Sequence, residues 1–135
     1  MIITRKKVLL VDDSKTILLM ERMILGNGLF ELVTALDGAE AVEKAKAELP
    51  DLILMDVVMP RMNGFEACRR IRSHAETSQI PIIMVTTRGE TESIEAGYES
   101  GCADYVVKPI DGLELLAKVQ SYLGDPAEGS DARPS

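Results

Sequence analysis

Asp12, Asp13, Asp56, Thr86 and Lys108 are the residues of this 135-residue chain whose types and positions could do chemistry together. Each comes at or just after the end of a short apolar run: Val8-Leu9-Leu10-Val11, Leu52-Ile53-Leu54-Met55, Ile82-Ile83-Met84-Val85 and Tyr105-Val106-Val107. Such runs read as strands. Laid parallel in one sheet, they would gather three carboxylates, a hydroxyl and an amine along one edge. Ligands of open α/β sheets bind outside the carboxyl ends of the strands. The acids suit Mg2+, which takes oxygen ligands, uses one or two carboxylates and leaves room for phosphate oxygens. The amine and the hydroxyl suit phosphoryl oxygens. Carboxylates crowded in this way repel one another unless a cation joins them.

Each residue alone has a plainer reading. Asp12 or Asp13 could cap the first helix, Lys108 could be a surface lysine, and Thr86 and Thr87 could be ordinary β-branched strand residues. The plain readings weaken together, because both acids stand opposite Asp56, and Lys108 follows a buried run and precedes Pro109.

The elements that must position these residues alternate in type. Strands are expected over 7–12, 31–35, 51–56, 81–86 and 104–108. Between them, Ile17, Met20 and Ile24 recur at helical spacing, with Gly26 and Gly28 as stop signals, and Ala41, Val42, Ala45 and Leu49 form a second stripe. Further helices are expected over 64–73, about 90–99 and about 112–123, the last with Leu113, Leu116, Val119 and Leu123 inward. Asp37, Asn63 and Asp111 each stand three before a glutamate, the spacing of a helix N-cap. Strands one, three and four are apolar on both faces, as in a parallel sheet covered by helices on each side. Right-handed crossovers then give a doubly wound, five-stranded α/β sheet of flavodoxin-like order 2-1-3-4-5. That order sets strand one beside strand three, so Asp12, Asp13 and Asp56 converge.

Composition narrows the function classes. Apolar residues make up 46% and charged residues 27%, ordinary for one globular domain. The net charge is −7, of which −2 falls in 125–135. Arg5-Lys6-Lys7 and Arg69-Arg70 are too short to argue for direct nucleic acid binding. No apolar run approaches the roughly 20 residues of a membrane helix, and the start lacks a signal-peptide core. Cys68 and Cys102 have no metal-type spacing and read as reduced thiols of a cytoplasmic protein. Residues 1–123 form the expected domain. Residues 124–135 lack large apolar side chains and read as a disordered tail or the start of a linker.

With these residues in place, the chain resembles the receiver domain of two-component response regulators. The resemblance rests on Val8-Leu9-Leu10-Val11-Asp12-Asp13-Ser14, Asp51-Leu52-Ile53-Leu54-Met55-Asp56 with Met59-Pro60-Arg61-Met62-Asn63-Gly64, Ile80-Pro81-Ile82-Ile83-Met84-Val85-Thr86, and Gly101-Cys102-Ala103-Asp104-Tyr105-Val106-Val107-Lys108-Pro109. It covers 6–123 and is similar in kind to single-domain chemotaxis- and motility-type regulators. The resemblance implies that Asp56 accepts a phosphoryl group from a histidine kinase or phosphotransfer protein. It implies Mg2+ on Asp13, Asp56 and the Val58 main-chain carbonyl, with Asp12 acting mostly through water. Thr86 and Lys108 would contact phosphoryl oxygens, Tyr105 would be an aromatic switch that follows Thr86, and the Lys108-Pro109 bond would be cis. Val58 and Arg88 would flank the path of hydrolytic water. The implied protein is no enzyme beyond its own phosphoryl transfer and slow self-dephosphorylation. It would be a monomer or weak dimer, and it would signal to a downstream protein effector through a surface around the helix near 90–99, the fifth strand and the last helix. Glu90, Glu92, Glu95 and Glu99 there read as a solvated face, or as a surface selecting a basic partner.

Three other readings stay open at this point. A flavodoxin-like FMN carrier shares the sheet, but Asp12-Asp13 would repel an anion where it needs a phosphate cradle. A haloacid-dehalogenase-type phosphatase wants a second acid two residues after the first strand's Asp, and position 14 is Ser. A phosphorylation-independent pseudo-receiver usually lacks an acid, the threonine or the lysine, and none is missing here.

Overall fold

A computed structural model describes residues 5–26, 28–87 and 98–124. Five parallel strands form one sheet: β1 (Lys7–Val11), β2 (Glu31–Ala35), β3 (Leu52–Asp56), β4 (Ile82–Thr87) and β5 (Asp104–Lys108). The strand order is β2-β1-β3-β4-β5, as expected from strict alternation and right-handed crossovers. The helices are α1 (Lys15–Leu25), α2 (Gly38–Glu48), α3 (Gly64–Arg72) and α4 (Gly112–Leu123). The expected helix over 90–99 falls mostly outside the described residues, as do Arg88, Glu90, Glu92, Glu95 and all of the expected tail but Gly124.

The sheet divides the core in two. On one side Leu9, Val11, Ile53, Met55 and Met84 pack against Ala41, Ala45, Ala67, Cys68 and Ile71. On the other, Val8, Leu10, Leu54, Ile83 and Val106 pack against Leu18, Leu25, Leu115 and Val119. Every residue of β3 is buried, which is why its sequence shows no alternation. The register sets Val11 beside Met55, and Asp56 beside Val85. The acids after β1 and at the end of β3 therefore share one sheet edge.

The N-caps follow the expected spacing. Asp37 accepts from the Glu40 N–H, Asn63 from the Glu66 N–H, and Asp111 from the Leu113 and Glu114 N–H groups. In α2 the Glu40 side chain reaches back one residue beyond the cap and accepts from the Leu36 N–H at 2.8 Å, in place of the Asp37 N–H of a capping box. In α3 the Glu66 side chain pairs with Arg70 instead, at 3.4 Å.

Two helices depart in part from the expected face. In α1 the buried residues are Leu18, Glu21 and Leu25, while Met20 is 39% and Met23 71% exposed. This helix is apolar nearly all round, so two stripes fit the helical period, and the acid at position 21 disguises the true one. In α4 Val119 is buried, and Leu116 and Leu123 pack partly buried against the same core, as expected; only Leu113 departs, 82% exposed, with Leu115 fully buried in its stead. Gly112 is what faces α1, since a Cβ there would lie 3.4 Å from Ile24, and the stripe starts only at Leu115.

Candidate metal and phosphoryl site

Asp12, Asp13 and Asp56 meet at the carboxyl edge of the sheet, with one oxygen from each within 4.8 Å of the others. None of them caps α1. That role belongs to Ser14, whose hydroxyl accepts from the Ile17 N–H at 3.3 Å. Asp12 is buried and accepts from the Ser14 N–H at 2.9 Å, which turns its carboxyl back into the site. Asp13 is exposed.

Lys108 reaches into the cluster from the end of β5. Its Nζ lies 3.2 Å from Asp12 Oδ2 and 3.2 Å from Asp56 Oδ1. The ammonium thus bridges two of the three acids. Burial drives the Lys108 pKa down, but Asp56 and Asp12 outweigh it and hold the group above its ordinary value. Asp56 is raised as well, which for a carboxyl disfavours the charged form. Burial first, then the Asp12 charge, push it up to about 6, with Lys108 opposing and Asp13 adding a little. The cluster is short of positive charge. Three hard oxygen donors in this space fit a small divalent cation such as Mg2+.

Thr86 lies in β4 and is buried, while Thr87 is exposed. Tyr105 is buried too, with its ring 5.2 Å from the Tyr98 ring in an edge-on arrangement. The Lys108-Pro109 peptide bond is cis. After β3 the chain alternates: Val57 and Met59 are buried and Val58 is 67% exposed. The Val58 side chain, two residues after Asp56, is therefore turned to solvent.

Two features were missed in the sequence. Glu21 is buried on the inner face of α1, and its Oε1 has no hydrogen-bond partner among the described residues. Burial pushes its carboxyl up to about 8, with further upward pushes from Asp12 and Asp56 against the pull of Lys108. Its signal was an acid three after one buried leucine and four before another. The other feature is an ion pair between Asp37 and Arg61, two residues that no local pattern connects.

The site and the sheet together define a class, doubly wound proteins with an acidic, lysine-bridged edge, and comparison places the chain within it. The response regulator receiver domain family matches residues 8–120, and the chain belongs to that family. Its members serve phosphorylation-based signalling in two-component systems. Protein PilH of Pseudomonas aeruginosa is 38% identical over 117 residues, covering 87% of this chain and 97% of PilH. The phosphate regulon transcriptional regulatory protein PhoB of Rhizobium meliloti is 40% identical over 87% of this chain, which spans only 52% of PhoB. The chain thus spans about half the length of several curated relatives it matches. The chemotaxis protein CheY4 of Vibrio cholerae superposes with a TM-score of 0.83 at 37% identity, covering 88% of this chain and 99% of CheY4. The receiver domain of the sensor histidine kinase PA1611 of Pseudomonas aeruginosa has a magnesium ion coordinated in its active site cleft. It superposes with a TM-score of 0.83 at 29% identity, over 90% of this chain and all of that domain. Among the described residues, no helix is long and apolar enough to cross a membrane.

Proposed function

We propose that this domain is a switch that accepts a phosphoryl group on Asp56 in a Mg2+-dependent reaction. The observation that carries the reading is the convergence of Asp12, Asp13 and Asp56 with Lys108 bridging two of them. One Asp56 carboxylate oxygen forms the new P–O bond to the incoming phosphorus. The P–N bond of a phosphohistidine donor breaks, and the imidazole nitrogen keeps the electron pair and takes a proton from solvent. Bound at Asp12, Asp13, Asp56 and the Val58 carbonyl, Mg2+ supplies charge neutralisation and a fixed orientation for phosphoryl oxygens. Lys108 holds Asp56 ionised against its neighbours and contacts a phosphoryl oxygen. Thr86 donates its hydroxyl to another. The movement of Thr86 and the buried Tyr105 biases the face around β5 and α4, which a downstream protein reads.

The donor is a histidine kinase or phosphotransfer protein, and the setting is cytoplasmic. The protein works as a monomer or weak dimer without direct contact to nucleic acid. It catalyses only its own phosphoryl transfer and a slow self-dephosphorylation. The test is the rate of mass gain with acetyl phosphate in Mg2+ and in EDTA. A strictly Mg2+-dependent gain is expected. An equal rate in EDTA contradicts the metal's role.

A further inference from the structure

The segment after the acceptor, 57–62, is fastened to a helix that contributes no acid to the site. Asp37, at the start of α2, is 4% exposed. One of its oxygens accepts from the Glu40 N–H at 2.8 Å, and the other pairs with the Arg61 guanidinium. Those N–H and guanidinium contacts hold the Asp37 carboxyl below its ordinary value. The Arg61 backbone sits at φ 69°, a left-handed conformation that only glycine adopts freely. Asp37 is the only acid paired with Arg61 among the described residues. The loop also lies directly on the helix start, because a Cβ at Gly38 would collide with the Met62 carbonyl oxygen. Elsewhere the segment is held by Val57, Met59 and Met62, which pack into the core, and by hydrogen bonds at its ends. The Val57 N–H donates to the Val85 carbonyl at 3.3 Å and the Gly64 N–H to the Val57 carbonyl at 2.8 Å. Between the buried Met59 and the helix cap Asn63, Arg61 is its one charged anchor.

A strained arginine and a buried carboxylate meeting across 24 residues call for a reason. The site supplies one. On the metal reading above, three donors would come from the ends of β1 and β3, and a fourth, the Val58 carbonyl, would come from this segment. Mg2+ demands near-ideal octahedral geometry, so a small displacement of one donor weakens binding. We infer that Asp37 and Arg61 form a latch that seats segment 57–62 against α2 and thereby sets the affinity of the acid cluster for Mg2+. Both are positioning residues, and the inference rests on the metal reading above.

The test is the Mg2+ dissociation constant by calorimetry on the full chain, beside metal-free urea unfolding. Arg61→Gly relieves the backbone conformation while removing the latch. Asp37→Asn keeps a competent N-cap while removing the charge. Both variants are expected to bind Mg2+ about three- to fivefold more weakly, the upper weight of an ion pair whose carboxylate is buried and whose arginine is largely exposed. Arg61→Gly should unfold at a urea midpoint at or above that of wild type, so affinity and stability move apart. Arg61→Lys, which keeps the charge, should recover part of the affinity. Dissociation constants within about twofold of wild type in both variants would overturn the latch. So would losses of affinity and stability that rise in proportion across the variants. Wild type that binds no Mg2+ at all would instead overturn the metal reading, and the latch with it.

Discussion

Glu21 should make the metal-free protein less stable as pH rises, and replacing it should remove that dependence. Its carboxyl lies between Leu18 and Leu25 on the buried face of α1, with one oxygen unpartnered, and it is pushed from 4.5 up to about 8. A folded-state value above the unfolded one means that the folded protein holds the proton more tightly. The penalty is therefore absent well below pH 4.5, grows as pH rises, and is complete above about 8. At about 1.36 kcal/mol per pH unit, the full penalty is about 5 kcal/mol. Asp56 has the same sign, but its penalty is complete once pH passes about 6. Between about pH 6.5 and 8.5, Glu21 is thus the shifted carboxyl that titrates, and the stability it loses over that window is about 2 kcal/mol, while the raised thiols of Cys68 and Cys102 act mainly at higher pH. The assay is urea unfolding in EDTA at half-unit pH steps. Wild type should lose about that amount, and Glu21→Gln should be flat over the same window. A slope that survives in Glu21→Gln, or a wild type that gains stability with pH, would refute the argument.

Three further outcomes follow from the site and the core. Mg2+ at about ten times its dissociation constant should stabilise the protein by about 1.4 kcal/mol, or about 5 °C in Tm; Asp13→Asn should abolish that response in calorimetry, and an unchanged response would remove Asp13 from the metal site. Lys108→Gln should cost about 2 kcal/mol in metal-free urea unfolding, because Asp12 and Asp56 lose the cation they share; a more stable variant would show that the bridge contributes nothing. The acyl phosphate should persist well beyond seconds, because the exposed Val58 side chain cannot orient water and Arg88 cannot act as a base. Mass-spectrometric decay should quicken in a Val58→Asn, Arg88→Glu double variant, and rapid decay of wild type would contradict this.

The sheet order and the convergence of the three acids with Lys108 were legible because these residues sit next to apolar runs that admit few alternatives. β1, β3 and β4 are buried on both faces, so their sequences mark them as central parallel strands without reference to partners. The helix faces were harder. Periodicity gives the spacing of a stripe but not its starting phase, and α1 offers apolar side chains at nearly every phase. Its true phase includes Glu21, an acid where patterning calls for a leucine. In α4 the phase is set by a glycine's close approach to Ile24, a contact 88 residues away in the chain. The Asp37–Arg61 pair was illegible for a similar reason. Asp37 was correctly read as a helix cap, but its second oxygen has a partner that only the folded loop brings near.

The claim that Asp56 is the phosphoryl acceptor is tested most directly by locating the added mass. The protein is treated with acetyl phosphate and Mg2+, trapped by borohydride reduction, digested and sequenced by mass spectrometry. The reduced residue should map to Asp56 alone, and Asp56→Asn should show no phosphoryl mass gain under the same conditions. Label on Asp12 or Asp13 in wild type, or an undiminished gain in Asp56→Asn, would contradict the assignment.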